Sequence, residues 1–416
     1  MTCTSRLVRG GLLAVLVAML FATAAVAAAS TETVIYSFPL TAHPIATGCS
    51  PQATLVADSA GNLYGTTPLC GAFDSGIVFE LSPPTPPSTQ WTQTVLCSFT
   101  GGSDGQYPYA GLIFDAAGNL YGTTTNGGAA GLGTVFELTP PAAGQSQWTE
   151  SVLYSFLGGP ADGANPKSDG LTFDHSGNLY GVTTAGGIPY TGSGGNGFCI
   201  SVTSGCGVVY KLAPPATPGA PWAETVLHYF NGPQGWFPIG SPIFDARGNL
   251  YGETSKGGRY LLGEVYRLIP PAEGKSTWGF KVLYPFTNSG NPGGSLTLHG
   301  DGILYGTTCC DVFQLVPPAV AGGAWTENVL HNFTGGNDGA GPDAVDLVFD
   351  RTGNLYGTTE AGGGNSGACN AYYGKFCGTV FELSRLQLEA LTGPRPYCIP
   401  SLLQPMTALN PSSALL

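Results

Sequence analysis

Short apolar runs alternate with glycine-rich turns along the whole chain, in units of similar length. In one unit, a run at 112–115 ends in Asp and turns at Gly118 into a second run at 119–124. A third run follows at 134–138 and a fourth at 148–156. Runs rich in β-branched and aromatic residues between Gly and Pro are typical of β-strands. The unit therefore predicts four antiparallel strands in a meander.

The second run of this unit returns in near-identical form throughout the chain. The leucine of its Leu-Tyr-Gly core recurs at intervals of 51 to 71 residues, at Leu63, Leu120, Leu179, Leu250, Leu304 and Leu355. Repeats of this length with four predicted strands are typical of propeller blades. We predict an all-β protein, a six-bladed β-propeller of four-stranded antiparallel blades. A β-solenoid is the less favoured alternative, because solenoid coils are usually shorter.

The two ends of the repeat array predict how the ring closes. Five of the repeats are followed by a fourth strand that begins with tryptophan, at Trp91, Trp148, Trp222, Trp278 and Trp325. The sixth repeat has none, but residues 31–38 match 149–156, with Ser30 at the tryptophan position. We therefore expect the N-terminal strand to complete the last blade, which removes the exposed edges of an open array.

The first 29 residues differ in composition from the rest. Two arginines precede an apolar run at 12–21, and small residues follow up to Ala29. This pattern predicts a cleavable secretory signal peptide at 1–29, since a membrane span would need a longer apolar core. The expected organisation is then a propeller at 30–384 and a poorly ordered tail at 385–416.

The charge of the chain excludes some partners. Without the leader it has 12 Lys and Arg against 26 Asp and Glu, a formal charge of −14. So acidic a protein has no basic surface for nucleic acid. No later run is long and apolar enough to cross a membrane. We expect a monomer that is secreted or held in the cell envelope.

The repeat resembles a known family. Gly-Asn-Leu-Tyr-Gly-Thr-Thr at 118–124, followed by Gly-Thr-Val-Phe-Glu-Leu at 133–138 and again at 378–383, is similar to the GloVer tandem repeat of bacterial choice-of-anchor proteins. The resemblance covers roughly residues 31 to 384. It implies an extracytoplasmic location and a propeller-like array, and it supplies no catalytic residues. The segment 385–416 lacks the sorting signals of that family.

The cysteines suit an oxidising compartment, where disulfides persist. Ten remain after the leader, and their positions in equivalent loops predict three bridges: Cys49–Cys70, Cys199–Cys206 and Cys369–Cys377. The adjacent Cys309 and Cys310 are open to two interpretations, a vicinal disulfide or two thiols. A zinc site is disfavoured because no Cys-x-x-Cys pair occurs.

A recurring acidic position precedes the tight turn of each repeat. It is occupied by Asp58, Asp115, Asp174, Asp245 and Asp350, and by His299 in the fifth repeat. Calcium binding or acid–base chemistry is one interpretation. We favour a structural one, because an Asp at this place accepts hydrogen bonds from turn N–H groups. We predict no metal or other cofactor, with calcium as the alternative.

The predicted central channel offers little chemistry. The innermost strands begin with small neutral residues, except for Asp169 and Asp346. This set lacks a nucleophile paired with a base, so we predict no catalytic residues. A lactonase-like, lyase-like or glycosidase-like propeller enzyme is one alternative function, and a structural surface component is another.

The loops between blades carry the more promising residues. Carboxylates or an amide recur there beside aromatic rings, which can orient hydroxyls and stack on apolar faces of a ligand. The candidate binding residues are Asp104, Tyr107, Tyr109, Asp162, Gln234, Trp236, Phe237 and Asp338. The interpretation that we favour for these residues is that Asp-Gly and Pro only shape turns, with ligand binding as the hypothesis to test. We predict a binding or interaction module for a glycan, peptide or protein.

Overall fold

The computed structural model describes most of the chain between residues 35 and 392. The described residues are 35–38, 46–167, 170–189, 199, 205–217, 219–287, 291–335, 337–342, 346–362 and 378–392. The chain divides into two compact units, Met1–Ile35 and Tyr36–Leu416. Only Ile35 of the first unit is described, and the architecture below is that of the second.

The second unit is a six-bladed β-propeller, as the repeat predicts. Blades 1 and 2 contain β1 (Val56–Ala57), β2 (Leu63–Thr67), β3 (Ile77–Ser82), β4 (Thr92–Ser98), β5 (Ile113–Phe114), β6 (Leu120–Thr124), β7 (Thr134–Thr139) and β8 (Thr149–Ser155). Blade 3 follows a short strand and encloses another, giving β9 (Gly163–Ala164), β10 (Thr172–Phe173), β11 (Leu179–Thr183), β12 (Ala185–Gly186), β13 (Val208–Ala213) and β14 (Ala223–Tyr229).

The second half of the ring repeats this order. Blades 4 and 5 contain β15 (Trp236–Phe244), β16 (Leu250–Lys256), β17 (Glu264–Ile269), β18 (Gly279–Pro285), β19 (Thr297–Leu298), β20 (Leu304–Thr307), β21 (Asp311–Val316) and β22 (Thr326–Asn332). Blade 6 contains β23 (Val348–Phe349), β24 (Leu355–Thr358) and β25 (Val380–Leu383). Each blade is an antiparallel meander; blades 1 to 5 have four strands, and blade 6 has three among the described residues.

The glycine of the Leu-Tyr-Gly core is required by the packing inside a blade. Gly122 pairs with Phe136 of the adjacent strand, and a Cβ atom at Gly122 would lie 2.6 Å from the Phe136 ring. A side chain at this position would therefore displace the ring. The same pairing of glycine with an aromatic residue occurs at Gly181 and Tyr210.

The Asp before each tight turn has the structural role predicted for it. Asp174 accepts hydrogen bonds from the backbone N–H groups of Ser176 and Asn178, at 2.8 and 3.0 Å. Its other oxygen accepts from the Asn178 amide and from the Tyr180 hydroxyl. Burial alone would raise the pKa of Asp174, but the bonds from Asn178 outweigh it and the pKa is lowered. Equivalent bonds hold Asp58, Asp115, Asp245 and Asp350.

The hydrophobic core lies between the blades. Phe99 of blade 1 and Phe136 of blade 2 are fully buried, and their ring centroids are 5.1 Å apart. This contact recurs at the following junctions, where the Phe after a fourth strand meets the third-strand aromatic of the next blade: Phe156–Tyr210, Phe230–Tyr266, Phe286–Phe313 and Phe333–Phe381. Burial of such large apolar side chains is the main force that holds neighbouring blades together.

The contacts of Tyr36 and Phe38 agree with the predicted closure. Phe38 lies 5.0 Å from Phe79 of blade 1, which is the junction contact described above. The Tyr36 hydroxyl donates to Gln93 at 2.9 Å, just as the Tyr284 hydroxyl of blade 4 donates to Glu327 of blade 5. Residues 36 and 38 therefore contact blade 1 as the fourth strand of a preceding blade would. Residues 31–34 of the predicted closing strand lie outside the described residues.

Two disulfides join loop residues in the described part of the chain. Cys49 and Cys70 are bridged, with Cα atoms 5.6 Å apart, and Cys199 is bridged to Cys206, as predicted. The third predicted bridge, Cys369–Cys377, lies outside the described residues. Cys309 and Cys310 remain thiols, with their sulfur atoms 3.1 Å apart.

One helix follows the last strand. α1 (Arg385–Thr392) occupies the first eight residues of the segment for which we expected little order, and its Leu388 is buried against blades 5 and 6. Residues 393–416 lie outside the described range. Within the described range, no helix combines the length and apolar character that a membrane crossing requires.

Candidate functional site

The first strands of the blades meet around the central channel. The Thr54 hydroxyl of blade 1 donates to the Asp346 carboxylate of blade 6 at 3.0 Å. The Ser241 N–H donates to the Ser295 hydroxyl at 2.9 Å, joining blades 4 and 5. Blades 5 and 6 are joined by the Thr297 hydroxyl, 2.6 Å from a carbonyl oxygen of blade 6. These bonds join neighbouring blades along the channel wall at the junctions of blades 4 and 5, 5 and 6, and 6 and 1.

A cavity of about 540 Å³ is lined by residues at and near these strand starts. Its apolar lining includes Val56, Leu112 and Ile113. Its polar lining consists of an amide, three hydroxyls, one ammonium and one carboxylate, supplied by Gln52, Thr54, Tyr109, Ser241, Lys167 and Asp346.

The small residues predicted at the strand starts give the cavity its space. Gly111 and Gly170 line it, and a Cβ atom at Gly111 would lie 3.3 Å from a blade 1 carbonyl oxygen. A Cβ atom at Gly170 would lie 3.1 Å from the Ser241 hydroxyl. Larger residues at these positions would fill the channel. The other acid predicted here, Asp169, lies outside the described residues.

The three predicted rim aspartates are bonded within their own loops. Asp104 accepts from both the N–H and the hydroxyl of Thr100, at 2.6 Å each. Asp162 is buried and accepts from the Tyr154 hydroxyl at 3.0 Å and from two backbone N–H groups. Asp338 accepts from Thr334 in the same way as Asp104 does from Thr100, and these bonds lower its pKa. This geometry supports the turn-shaping interpretation, and a role of these residues in ligand binding stays a prediction.

The two tyrosines of the second loop differ in position. Tyr109 lines the channel cavity. Tyr107 lies outside the cavity lining, at a φ of +61°, and its N–H donates to the Ser75 carbonyl at 2.9 Å. The two ring centroids are 6.5 Å apart. Of the eight predicted binding residues, Tyr109 is the one that lines this cavity.

The candidates of the fourth loop belong to the blade 3–4 junction. The Trp236 ring is only 5% exposed and packs with Val209, Phe230 and the Phe237 side chain. Phe237 has a φ of +52°. Gln234 is half-buried, and its N–H donates to the Asn231 side chain. Burial of Trp236 leaves little of its indole available for stacking on a ligand.

Sequence reasoning missed several half-buried or buried acids between blades. Burial and the nearby Asp162 raise the pKa of Glu224 to about 8, and burial and Asp104 raise the pKa of Glu150 to about 7. Burial alone raises the pKa of Glu264 to about 7. None of these three lines the channel cavity. Their shifts bear on the pH dependence of stability rather than on a shared site.

The arrangement of possible metal ligands adds no further site. In the described ranges, no three side chains of His, Cys, Asp or Glu are placed to hold one metal ion. The predicted disulfide cysteines that fall within those ranges are bridged. The channel cavity therefore remains the place where polar groups from several blades converge.

Residues 21–203 match the family model described as the Gloeobacter/Verrucomicrobia repeat. No curated protein matches this sequence.

Several solved structures are similar at low identity. A gluconolactonase from Xanthomonas campestris is 15% identical, with 74% of this chain and 83% of that chain covered and a TM-score of 0.39. An aldose sugar dehydrogenase from Streptomyces coelicolor, solved with bound PQQ, is 15% identical, with 82% and 95% covered and a TM-score of 0.44. PorZ, a surface component of the type-IX secretion system of Porphyromonas gingivalis, is 15% identical, with 74% and 39% covered and a TM-score of 0.42. At these TM-scores, none of their activities transfers to this chain.

Proposed function

Residues 21–203 match the Gloeobacter/Verrucomicrobia repeat model, and we propose that this repeat protein is an exported binding module whose ligand is a small neutral saccharide. The ligand site is the channel cavity. The leader at 1–29 directs export, and the disulfides support a location outside the cytoplasm, where such bonds persist.

The observation that carries this proposal is the chemical composition of the cavity. A saccharide combines apolar C–H faces with hydroxyl edges. The cavity combines an apolar lining with hydroxyl and amide groups, and Tyr109 offers an aromatic ring on which a sugar face stacks. One ammonium, of Lys167, and one carboxylate, of Asp346, balance each other in charge, which favours a neutral ligand.

The same lining supports binding better than catalysis. Among the described residues of this lining there is neither histidine nor cysteine, and Asp346 supplies the one carboxylate. Glycoside hydrolysis normally uses two carboxylates on opposite sides of the bond. The Thr54 hydroxyl donates to the Asp346 carboxylate at 3.0 Å, but no histidine is among the described lining residues to act as the base of a nucleophilic relay.

Calorimetry and thermal unfolding against a panel of neutral mono- and oligosaccharides test the proposal. A ligand that binds the folded state raises the melting temperature by mass action. We expect saturable binding of one sugar class, at least tenfold weaker in Tyr109→Ala and in Asp346→Asn, with no turnover of the bound sugar. Calcium and a chelator should leave both the affinity and the melting temperature unchanged.

Tyr107→Ala is the matched control, since Tyr107 lies in the same loop but outside the cavity lining. Its affinity should equal that of the unmodified protein. Equal losses in Tyr107→Ala and Tyr109→Ala, or no saturable binding of any saccharide, would refute a saccharide site in the channel.

A further inference from the structure

The loop between the second and third strands is shorter in blade 5 than in blades 1 and 2. It spans residues 68–76 in blade 1 and 125–133 in blade 2, nine in each, but only residues 308–310 in blade 5. Cys309 and Cys310 are two of those three residues. The two thiols therefore lie side by side in a minimal turn.

Hydrogen bonds to the main chain fix this turn on both sides of the pair. The Cys309 N–H donates to the Asn291 carbonyl oxygen at 3.2 Å, and the Cys310 carbonyl oxygen accepts from the Phe333 N–H at 2.8 Å. The Cys310 N–H donates to the Thr308 hydroxyl at 3.3 Å. The main chain of each cysteine is thus anchored to a different segment of the protein, which keeps the two side chains adjacent.

The two sulfur atoms are close and accessible. They lie 3.1 Å apart, about 1 Å beyond the length of a disulfide bond. Cys310 is exposed and Cys309 is half-buried, so a small molecule in solution can reach the pair. Cys97 differs, because burial and the nearby Glu150 raise its pKa to about 12. A thiol with so little thiolate reacts slowly.

A bond between adjacent cysteines differs from the other bridges of this protein. It closes a small ring that contains only one peptide unit, and so small a ring restrains that peptide. The Cys49–Cys70 bridge spans 21 positions, and Cys70 is buried. Strained or exposed disulfides are reduced more readily than buried structural ones. A Cys309–Cys310 bond should therefore open under conditions that leave Cys49–Cys70 closed.

We propose that Cys309 and Cys310 form a thiol–disulfide exchange site for a small disulfide such as oxidised glutathione. The Cys310 thiolate attacks one sulfur of the small disulfide, which forms a mixed disulfide and releases one small thiol. The Cys309 thiolate then attacks the Cys310 sulfur, closes the vicinal bond and releases the second small thiol. The pair loses two electrons and two protons, the small disulfide gains both, and excess small thiol reverses the reaction.

Redox titration of the purified protein in mixtures of reduced and oxidised glutathione tests this site. After acid quenching and alkylation of the remaining thiols, the tryptic peptide 282–351 contains Cys309 and Cys310 and no other cysteine. We expect both thiols of this peptide to appear and disappear together. Their reduction should need at least tenfold less reduced glutathione than that of Cys49–Cys70, and the Cys97 thiol should stay unmodified.

Two variants separate exchange from simple oxidation. Cys309→Ser leaves the exposed Cys310 without a second thiol to resolve the intermediate, so this variant should accumulate a stable glutathione adduct on Cys310. Cys97→Ser is the matched control, because it removes a thiol elsewhere in the fold, and the titration of the pair should be unchanged. Neither cysteine of the pair lines the channel cavity, so saccharide binding should be the same in both variants.

Four results would overturn the site. They are a pair that stays as two thiols in excess oxidised glutathione, a pair that is reduced only together with Cys49–Cys70, oxidation that links two chains through Cys310, and a Cys309→Ser variant that forms no adduct. The first three are measured on the unmodified protein, so they hold even if a variant fails to fold.

Discussion

At the scale of single residues, the half-buried glutamates between blades make the stability of the fold depend on pH. Glu224 is ionised in the unfolded chain above a pKa of about 4.5, but burial and Asp162 raise its folded-state pKa to about 8. Between these values, the folded state binds more protons than the unfolded state. The stability that Glu224 contributes is therefore complete below pH 4.5 and declines as the pH rises towards 8.

We predict that Glu224→Gln raises the melting temperature at pH 8.5 by a few degrees and leaves it nearly unchanged at pH 4.5. The amide keeps the shape of the side chain and removes the charge that burial disfavours. Thermal unfolding at the two pH values measures the effect.

Glu273→Gln is the control for the change in net charge, because Glu273 is exposed in a turn. It should not reproduce the pH-dependent gain. A gain of equal size in both variants would assign the effect to net charge rather than to burial of Glu224.

At the scale of the structural element, the tight turn between the first two strands depends on its Asp. Asp174→Ala should lower the free energy of unfolding by roughly 2 kcal/mol at neutral pH, because two backbone N–H groups lose a charged acceptor. Urea unfolding measures the loss. Asp174→Asn keeps one acceptor oxygen and should lose less. If both variants are as stable as the unmodified protein, the turn holds without this side chain.

The elements were predictable because each unit carries its own strand and turn signals. The Asp-x-x-Gly-Asn pattern predicted the turn, and Asp174 and Gly177 occupy it as expected. The eight-residue helix at Arg385–Thr392 was not predicted, since its sequence has weak amphipathic character and follows the last repeat. Its buried Leu388 depends on a surface formed by blades 5 and 6, which local sequence does not reveal.

At the scale of the whole molecule, ring closure depends on contacts between distant parts of the chain. We predict a coupling energy of about 1 kcal/mol between Tyr36 and Gln93 in a double-mutant cycle of Tyr36→Phe and Gln93→Leu, the usual size for one hydrogen bond. Chemical unfolding of the four proteins measures it. A control cycle of Tyr36→Phe with Gln90→Leu, on an exposed loop, should give zero. Zero coupling in both cycles would contradict closure through Tyr36.

The candidate site was predictable only in part. The strand starts at Thr54, Gly111 and Ser241 were expected at the channel, and they line it. Lys167 was missed because no motif marks it. Its place in the cavity lining depends on the conformation of its loop, which the sequence does not reveal. Trp236 was proposed for stacking, yet tertiary packing buries it. A position in a loop sequence does not tell whether an aromatic ring faces solvent or the neighbouring blade.

The bond between Thr54 and Asp346 joins residues 292 positions apart. Such a contact is made late, because the intervening chain must be synthesised and brought together before the two ends can meet. The ring of blades is therefore complete only after the last repeat has been synthesised, although the strands of blade 1 are made first. The export proposed above is compatible with this order if the chain crosses the membrane unfolded, because the ring can close only when the last repeat is present.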